Sequence, residues 1–89
     1  MKLHLKGNIE SNQVWLNDNL LCPSKSQEII NHSPDGFSWG YGGSGPAQLS
    51  LAILLEVMSK EDACKNYQQF KWDVIAKLPQ TDFEIEIEL

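Results

Sequence analysis

The chain has 89 residues, of which 42% are apolar and 21% are charged, and its net charge is −5. This length predicts one domain over residues 1–89, with the composition of a soluble globular protein. The acidic balance and the absence of arginine disfavour binding to nucleic acid, whose phosphates usually contact a basic face. No apolar run is long enough to span a bilayer, and residues 1–6 lack a signal-peptide core, so we expect a cytoplasmic protein without membrane contact.

The N-terminal part has the residue pattern of a small antiparallel ribbon. Three short strands are predicted, at residues 2–6, 13–17 and 20–21. A short helix is expected next, over about residues 25–31, with Ser24 and Gln27 placed as a capping box. Residues 37–41 then have the composition of another strand.

The C-terminal part predicts two long helices and a final strand. Residues 47–58 are apolar on nearly every side, and Pro46 suits the first position of that helix, which is expected to be buried or shared with a partner. Ser59 caps the second helix, whose apolar residues recur at spacings of three and four: Ala63, Tyr67, Phe70, Val74 and Leu78. Trp72 lies off that stripe, and we favour core packing for it. Residues 83–89 alternate apolar residues with glutamate, which predicts a strand with one acidic face.

The order of these elements predicts an α+β fold, a small, mostly antiparallel sheet packed on two long helices. The helix at residues 47–58 has more apolar surface than a thin sheet covers, so we also expect a homo-oligomer, most simply a dimer. Cys22 and Cys64 are expected to be free thiols. With His4 and His32 they do not form a plausible metal site, and we expect no metal and no cofactor.

A glycine-rich stretch precedes the first long helix. Five of the six glycines fall between Gly36 and Gly45, and residues 40–45 match the pattern G-x-G-x-x-G. The match does not indicate a dinucleotide-binding fold, which would need a second parallel strand and an acidic residue at a set distance. It does not indicate a Walker A loop either, since no lysine follows the glycines. Pro46 breaks the G-x-S-x-G pattern, and no histidine or carboxylate pair lies near Ser44 in sequence. We therefore predict a protein that is not an enzyme and has no catalytic residue.

The same stretch keeps the elements of an anion site. A glycine turn leading into a helix, with Ser44 or Gly45 as its N-cap, exposes backbone N–H groups and the positive end of the helix dipole. Trp39 and Tyr41 would share one face of the predicted strand, and two aromatic rings beside an anion site favour a nucleotide-derived small molecule. Gln48 would contact its base or ribose edge. The predicted ligand-binding residues are Trp39, Tyr41, Gly42, Gly43, Ser44, Gly45 and Gln48.

Other interpretations of the chain stay open. In one of them the glycines only allow a tight crossing under Trp39, with both aromatic residues in the core. The protein could be a protein–protein inhibitor or adaptor that uses the apolar helix, or an accessory structural domain without a ligand.

The runs GFSWGYGGSGPAQL at residues 36–49 and LAILL at residues 51–55 resemble a family of small domains of unknown function encoded by phages, plasmids and other mobile elements. Residues 67–71 and 74–79 are similar to the second helix of that family, so the resemblance covers about residues 35–79. It implies no activity and no residue role. It does imply a setting in which small phage proteins often inhibit host defence, some by sequestering cyclic or ADP-ribose-derived nucleotides and others by binding a host protein. Our leading hypothesis is a nucleotide sponge in the host cytoplasm.

Overall fold

The strands of the sheet form where apolar and polar residues alternate. The computed structural model describes residues 1–89 and contains four strands: β1 (Lys2–Asn8), β2 (Gln13–Leu16), β3 (Asn19–Leu20) and β4 (Phe83–Glu88). They form one antiparallel sheet in the order β3-β2-β1-β4. The tight turns between β1, β2 and β3 place Asn12, Asn17 and Asp18 at positive φ, which asparagine and aspartate tolerate better than most residues.

The sheet has one face in the core and one face in solvent. Leu3 and Leu5 of β1 and Val14 of β2 are almost completely buried, whereas their polar neighbours face outward. On the outer face, His4 Nε2 lies 2.7 Å from a carboxylate oxygen of Glu84. The sheet therefore forms one outer layer of the fold, and the helices cover its apolar face.

Three helices form the second layer: α1 (Pro23–Ile29), α2 (Ser44–Val57) and α3 (Lys60–Asp73), followed by a short 3-10 turn, Ile75–Lys77. The structure confirms the predicted α+β fold. A single apolar cluster of 19 buried residues joins side chains from the sheet, α2 and α3. No helix combines the length and the apolar character needed to cross a membrane.

The predicted helix ends are only partly correct. Ser59 caps α3 as expected, since its hydroxyl accepts a hydrogen bond from the Asp62 N–H at 3.1 Å. The predicted capping box of α1 is wrong, because Gln27 donates to the Ser33 carbonyl instead and Cys22 occupies the N-cap. The second long helix ends earlier than predicted, at Asp73, and the chain continues to Leu78 through the 3-10 turn.

Packing against the rest of the same chain explains the apolar character of α2. Ten of its 14 residues are buried, and the other four are Ser44 and residues 55–57 of its last turn. The sheet, α1 and α3 therefore cover the surface on which the expectation of a homo-oligomer was based. The oligomeric state stays a prediction, and sedimentation at micromolar concentration would test it.

Candidate functional site

The glycine-rich segment does not form the predicted strand. Gly36 and Gly40 adopt positive φ values of 105° and 87°, which turn the chain twice within five residues. The backbone N–H of Gly40 donates to the Ile75 carbonyl at 3.0 Å, so the segment bonds to the 3-10 turn and not to the sheet. The backbone reversals allowed by glycine therefore outweigh the strand propensity of the aromatic residues.

Trp39 belongs to the core. It is 1% exposed, its indole N–H donates to the Thr81 carbonyl at 2.9 Å, and its ring meets Phe83 edge-on at 5.0 Å between centroids. Because no strand forms here, Trp39 and Tyr41 do not share a face. The predicted stacking of Trp39 on a ligand is therefore not available in this structure.

Two half-exposed aromatic rings lie on the glycine backbone. Tyr41 is 46% exposed, and its hydroxyl forms a 2.8 Å hydrogen bond with the Ser38 hydroxyl while its ring covers Gly43. Trp72 is 54% exposed, and its ring covers Gly42. The expected core packing of Trp72 is thus wrong. Its position off the apolar stripe of α3 was the sequence signal for its exposure.

Helix α2 begins with unpaired backbone donors. Its N-cap is Gly43, not Ser44 or Gly45, and Pro46 is the third helical residue instead of the first. None of the hydrogen bonds within the chain uses a backbone N–H of residues 41–45. The Ser44 side chain is exposed and makes no capping bond. Gly45 is buried because Ser38 packs directly on it.

Gln48 lies in the interior and does not have the ligand-facing position predicted for it. It is 0% exposed, and its carbonyl oxygen accepts from the His32 and Ser33 N–H groups at 2.8 and 2.9 Å. Its amide nitrogen donates to the Ser26 hydroxyl and to the Ile30 carbonyl. All four hydrogen-bonding positions of the side chain are filled, so Gln48 joins α2 to α1 and the loop after it.

An open cleft of about 370 Å³ borders the start of α2. Ser38, Tyr41, Ser44 and Gly45 line one part of it, and Asp35 contributes a carboxylate. The cleft has the size of a small-molecule site and is mostly polar. Three of the seven predicted site residues line it, Tyr41, Ser44 and Gly45, whereas Trp39 and Gln48 lie in the interior.

The thiols and carboxylates of the chain show no metal arrangement. Cys22 and Cys64 are free thiols. Hydrogen bonds from the side chain and the backbone of Ser24 lower the pKa of the exposed Cys22 thiol, with Ser24 Oγ 3.0 Å from the sulfur. No group of three or more histidine, cysteine, aspartate or glutamate side chains is placed to hold a metal ion.

A model of the family of unknown function DUF6166 matches residues 5–88. The chain belongs to DUF6166. Membership of DUF6166 confirms the resemblance to a family of unknown function and extends it to nearly the whole chain, but it assigns no activity to any residue. No curated protein and no solved structure matched the chain.

Proposed function

We propose that the chain binds a phosphate-containing small molecule at residues 41–45. The observation that carries this proposal is a run of five consecutive backbone N–H groups without an acceptor, at the start of a 14-residue helix. Such donors and the positive end of a helix dipole bind phosphate without a basic side chain. The first turn of α2 contains no acidic residue that would neutralise this positive end.

The two exposed rings support a ligand that also has a flat ring. Tyr41 and Trp72 lie on adjacent glycines, and about half of each side chain is exposed. They replace the predicted pair of Trp39 and Tyr41. A nucleobase stacked on such a ring typically contributes about 1–3 kcal/mol of binding free energy. The Asp35 carboxylate in the adjoining cleft is a suitable acceptor for a ribose hydroxyl, since carboxylates bind ribose in dinucleotide-binding folds.

The role that we propose is sequestration without a chemical step. The polar side chains that line the cleft include serines, an asparagine and one aspartate, and neither histidine is among them. If the chain is encoded by a phage, this role would be that of an anti-defence sponge that removes a nucleotide signal from the host cytoplasm.

The sharpest test removes one backbone N–H and keeps the helix. Ser44 is the first residue of α2, where proline is well tolerated, and Gly43 before it is extended at φ −109° and ψ −163°, as the residue before proline should be. We expect Ser44→Pro to weaken the binding of ADP, because a hydrogen bond to a charged group contributes about 1.5–3 kcal/mol, or roughly tenfold to a hundredfold in affinity.

The matched control is Ser44→Ala, which loses the hydroxyl but keeps the N–H. Calorimetric titration and thermal melts would use inorganic phosphate, pyrophosphate, ADP, ADP-ribose and a cyclic dinucleotide as probes. The proposal predicts that at least one nucleotide raises the Tm of the wild type and of Ser44→Ala more than that of Ser44→Pro. It fails if no probe binds the wild type, or if both variants bind equally well.

A protein–protein inhibitor or adaptor is the second candidate. It is favoured by the adjacent exposure of Tyr41 and Trp72, since tyrosine and tryptophan are enriched among the residues that dominate protein interfaces. The apolar surface of α2, on which this alternative first depended, is buried. For this function Trp72→Ala would weaken binding to a host protein, whereas Ser44→Pro would leave it unchanged.

A further inference from the structure

The backbone of β4 is hydrogen-bonded on one side only. β4 lies at the end of the strand order β3-β2-β1-β4, and β1 is the one strand beside it. No backbone group of residues 83–88 forms a hydrogen bond outside the ladder with β1. The free edge of β4 therefore carries a row of unpaired N–H and C=O groups, which is a template for another strand.

The acidic residues of β4 supply these unpaired groups. At the end of the ladder Met1 and Leu89 exchange two hydrogen bonds, at 2.8 and 2.9 Å. Bonded and non-bonded pairs alternate along an antiparallel ladder, so the odd-numbered residues of β4 bond to β1. The His4 carbonyl, opposite Glu86, agrees with this alternation because it accepts from the Asn17 N–H on the β2 side. The residues whose backbone groups point to the free edge are Glu84, Glu86 and Glu88.

The outer face of this edge is acidic. The side chains of Glu84, Glu86 and Glu88 are 60–70% exposed. Each carboxylate has one cationic or histidine partner at 2.7–3.7 Å, and all three partners lie on the β1 side. A carboxylate has about four acceptor positions, so each can also bind a cation that approaches from the free edge.

The other face of β4 is apolar and incompletely covered. Ile85 and Ile87 are partly exposed, whereas Leu3 and Leu5 opposite them on β1 are almost completely buried. An open cleft of about 370 Å³ continues this apolar surface at the end of the strand. Its apolar lining residues are Leu54, Met58, Phe70 and Leu89.

We propose that the free edge of β4 binds an extended, basic segment of another protein as a fifth, antiparallel strand. Residues directly opposite Glu84, Glu86 and Glu88 place their side chains on the same face and exchange hydrogen bonds with them. Lysine or arginine at these alternate positions complements the carboxylates, and apolar residues between them cover Ile85 and Ile87. A second copy of β4 does not fit, because it has the same charges. This inference does not depend on the proposed function.

The first test uses a capped seven-residue peptide of alternating lysine and valine, labelled for fluorescence anisotropy. The wild type should bind it at low salt more tightly than a peptide of the same composition whose lysines are grouped together. Methylation of the backbone nitrogens of two central lysines should weaken binding by about tenfold or more, because those N–H groups face β4. The same methylation at two valines should have little effect, since their N–H groups face solvent.

Amide hydrogen exchange followed by NMR locates the bound peptide. In the free protein the N–H groups of Glu84, Glu86 and Glu88 should exchange quickly, whereas those of Ile85 and Ile87 should be protected by β1. Saturation with the alternating peptide should slow exchange at the three glutamates by about tenfold or more. Unchanged exchange there would overturn strand addition, since attraction between charges alone does not protect backbone groups.

The variant Glu86→Pro removes one N–H group from the free edge. Proline is tolerated at an edge position whose N–H faces solvent, so the variant should fold. The matched control, Glu86→Gln, loses only the charge and should weaken peptide binding by about two- to fivefold. Glu86→Pro should lose about two- to tenfold more, the contribution of one backbone hydrogen bond. Both variants should bind ADP as the wild type does.

Three results would show that the assignment of this edge is wrong. One is the absence of peptide binding by the wild type at low salt, and another is equal binding of the two methylated peptides. The third is a wild-type dimer in sedimentation that Glu86→Pro dissociates, which would make a second copy the occupant. If Glu86→Pro does not fold, the methylated peptides decide the question with the wild type alone.

Discussion

Two adjoining pieces of the glycine-rich segment differ sharply, although their compositions are similar. Residues 36–40 face inward: Phe37 and Trp39 are 4% and 1% exposed, and the Gly40 N–H is bonded to the 3-10 turn. Residues 41–45 follow directly, and their backbone N–H groups have no partner in the chain. One piece completes the core, and the next presents donors at the start of α2.

Glycine serves different purposes in the two pieces. Gly40 is required by its positive φ, and a Cβ there would lie 2.9 Å from the Leu78 carbonyl oxygen. Gly42 and Gly43 have no such backbone requirement, and aromatic rings occupy the space that their side chains would take. A glycine-rich motif can therefore combine a backbone requirement at one glycine with close side-chain packing at others, and substitutions at the two kinds of glycine should differ in their cost.

The largest effect should come from Trp39→Ala. Removal of a large buried aromatic side chain costs about 3–5 kcal/mol, a large part of the roughly 5–15 kcal/mol of a typical domain. The Thr81 carbonyl would also lose its donor. Urea unfolding followed by far-UV circular dichroism would measure the loss, with the half-exposed Trp72→Ala as the control at about 1 kcal/mol or less. Equal losses for the two variants would contradict the assignment of Trp39 to the core.

The variants Gly40→Ala and Gly43→Ala make the same substitution once in each of the two pieces, so their stabilities can be compared directly. Alanine at Gly40 must adopt a φ of 87° and approach the Leu78 carbonyl, and we expect a loss of about 1–3 kcal/mol. At Gly43 the φ is −109°, and only the half-exposed ring of Tyr41 has to move, so we expect less than about 1 kcal/mol. The midpoints of urea unfolding measure both losses of stability. A larger loss for Gly43→Ala than for Gly40→Ala would contradict the prediction.

Gln48→Met should lower stability and leave ligand binding unchanged. The variant would leave the Ser33 N–H without an acceptor and the His32 N–H with only the Ile30 carbonyl at 3.2 Å, and an unsatisfied buried group costs about 1–3 kcal/mol. Gln69→Met, at an exposed position of α3, is the matched control and should change little. A weakened affinity for ADP in the folded Gln48→Met protein would instead show that Gln48 contributes to ligand binding.

Tyr41→Ala should have the smallest effect on stability, below about 1 kcal/mol, because its side chain is half exposed. Its effect on nucleotide binding should be larger, about 1–3 kcal/mol for a stacked ring. Tyr41→Phe removes only the hydroxyl that bonds Ser38 and should retain the affinity. Loss of affinity in Tyr41→Phe as well would show that the hydroxyl, not the ring, contacts the ligand.

The sequence predicted the elements whose residues repeat with a regular period. Alternation identified β1 and β4, and spacings of three and four identified α3, because burial of one face selects those periods. The fully apolar α2 was expected to be buried or shared, and the structure places it within the chain. The fold class could therefore be predicted without knowledge of any long-range contact.

The errors concern residues whose partners are distant in sequence. The aromatic composition of residues 37–41 favoured a strand, but their position depends on Ile75 and Thr81. A glutamine in the first turns of a helix is usually exposed, and only the packing of α1 explains why Gln48 is not. The position of Trp72 off the apolar stripe of α3 indicated its exposure, but its contact with Gly42 could not be predicted from that helix. Single-sequence periodicity does not contain these contacts.

The acidic strand β4 also restricts how copies of the chain can associate. Its outer edge is unpaired, and Glu84, Glu86 and Glu88 are exposed along it. Antiparallel pairing of two such edges would set glutamate opposite glutamate, and like charges in that position are destabilising. The strand thus resists extension of the sheet into a fibre, and this protection should weaken as salt screens the charges. A homodimer formed through this edge is therefore disfavoured.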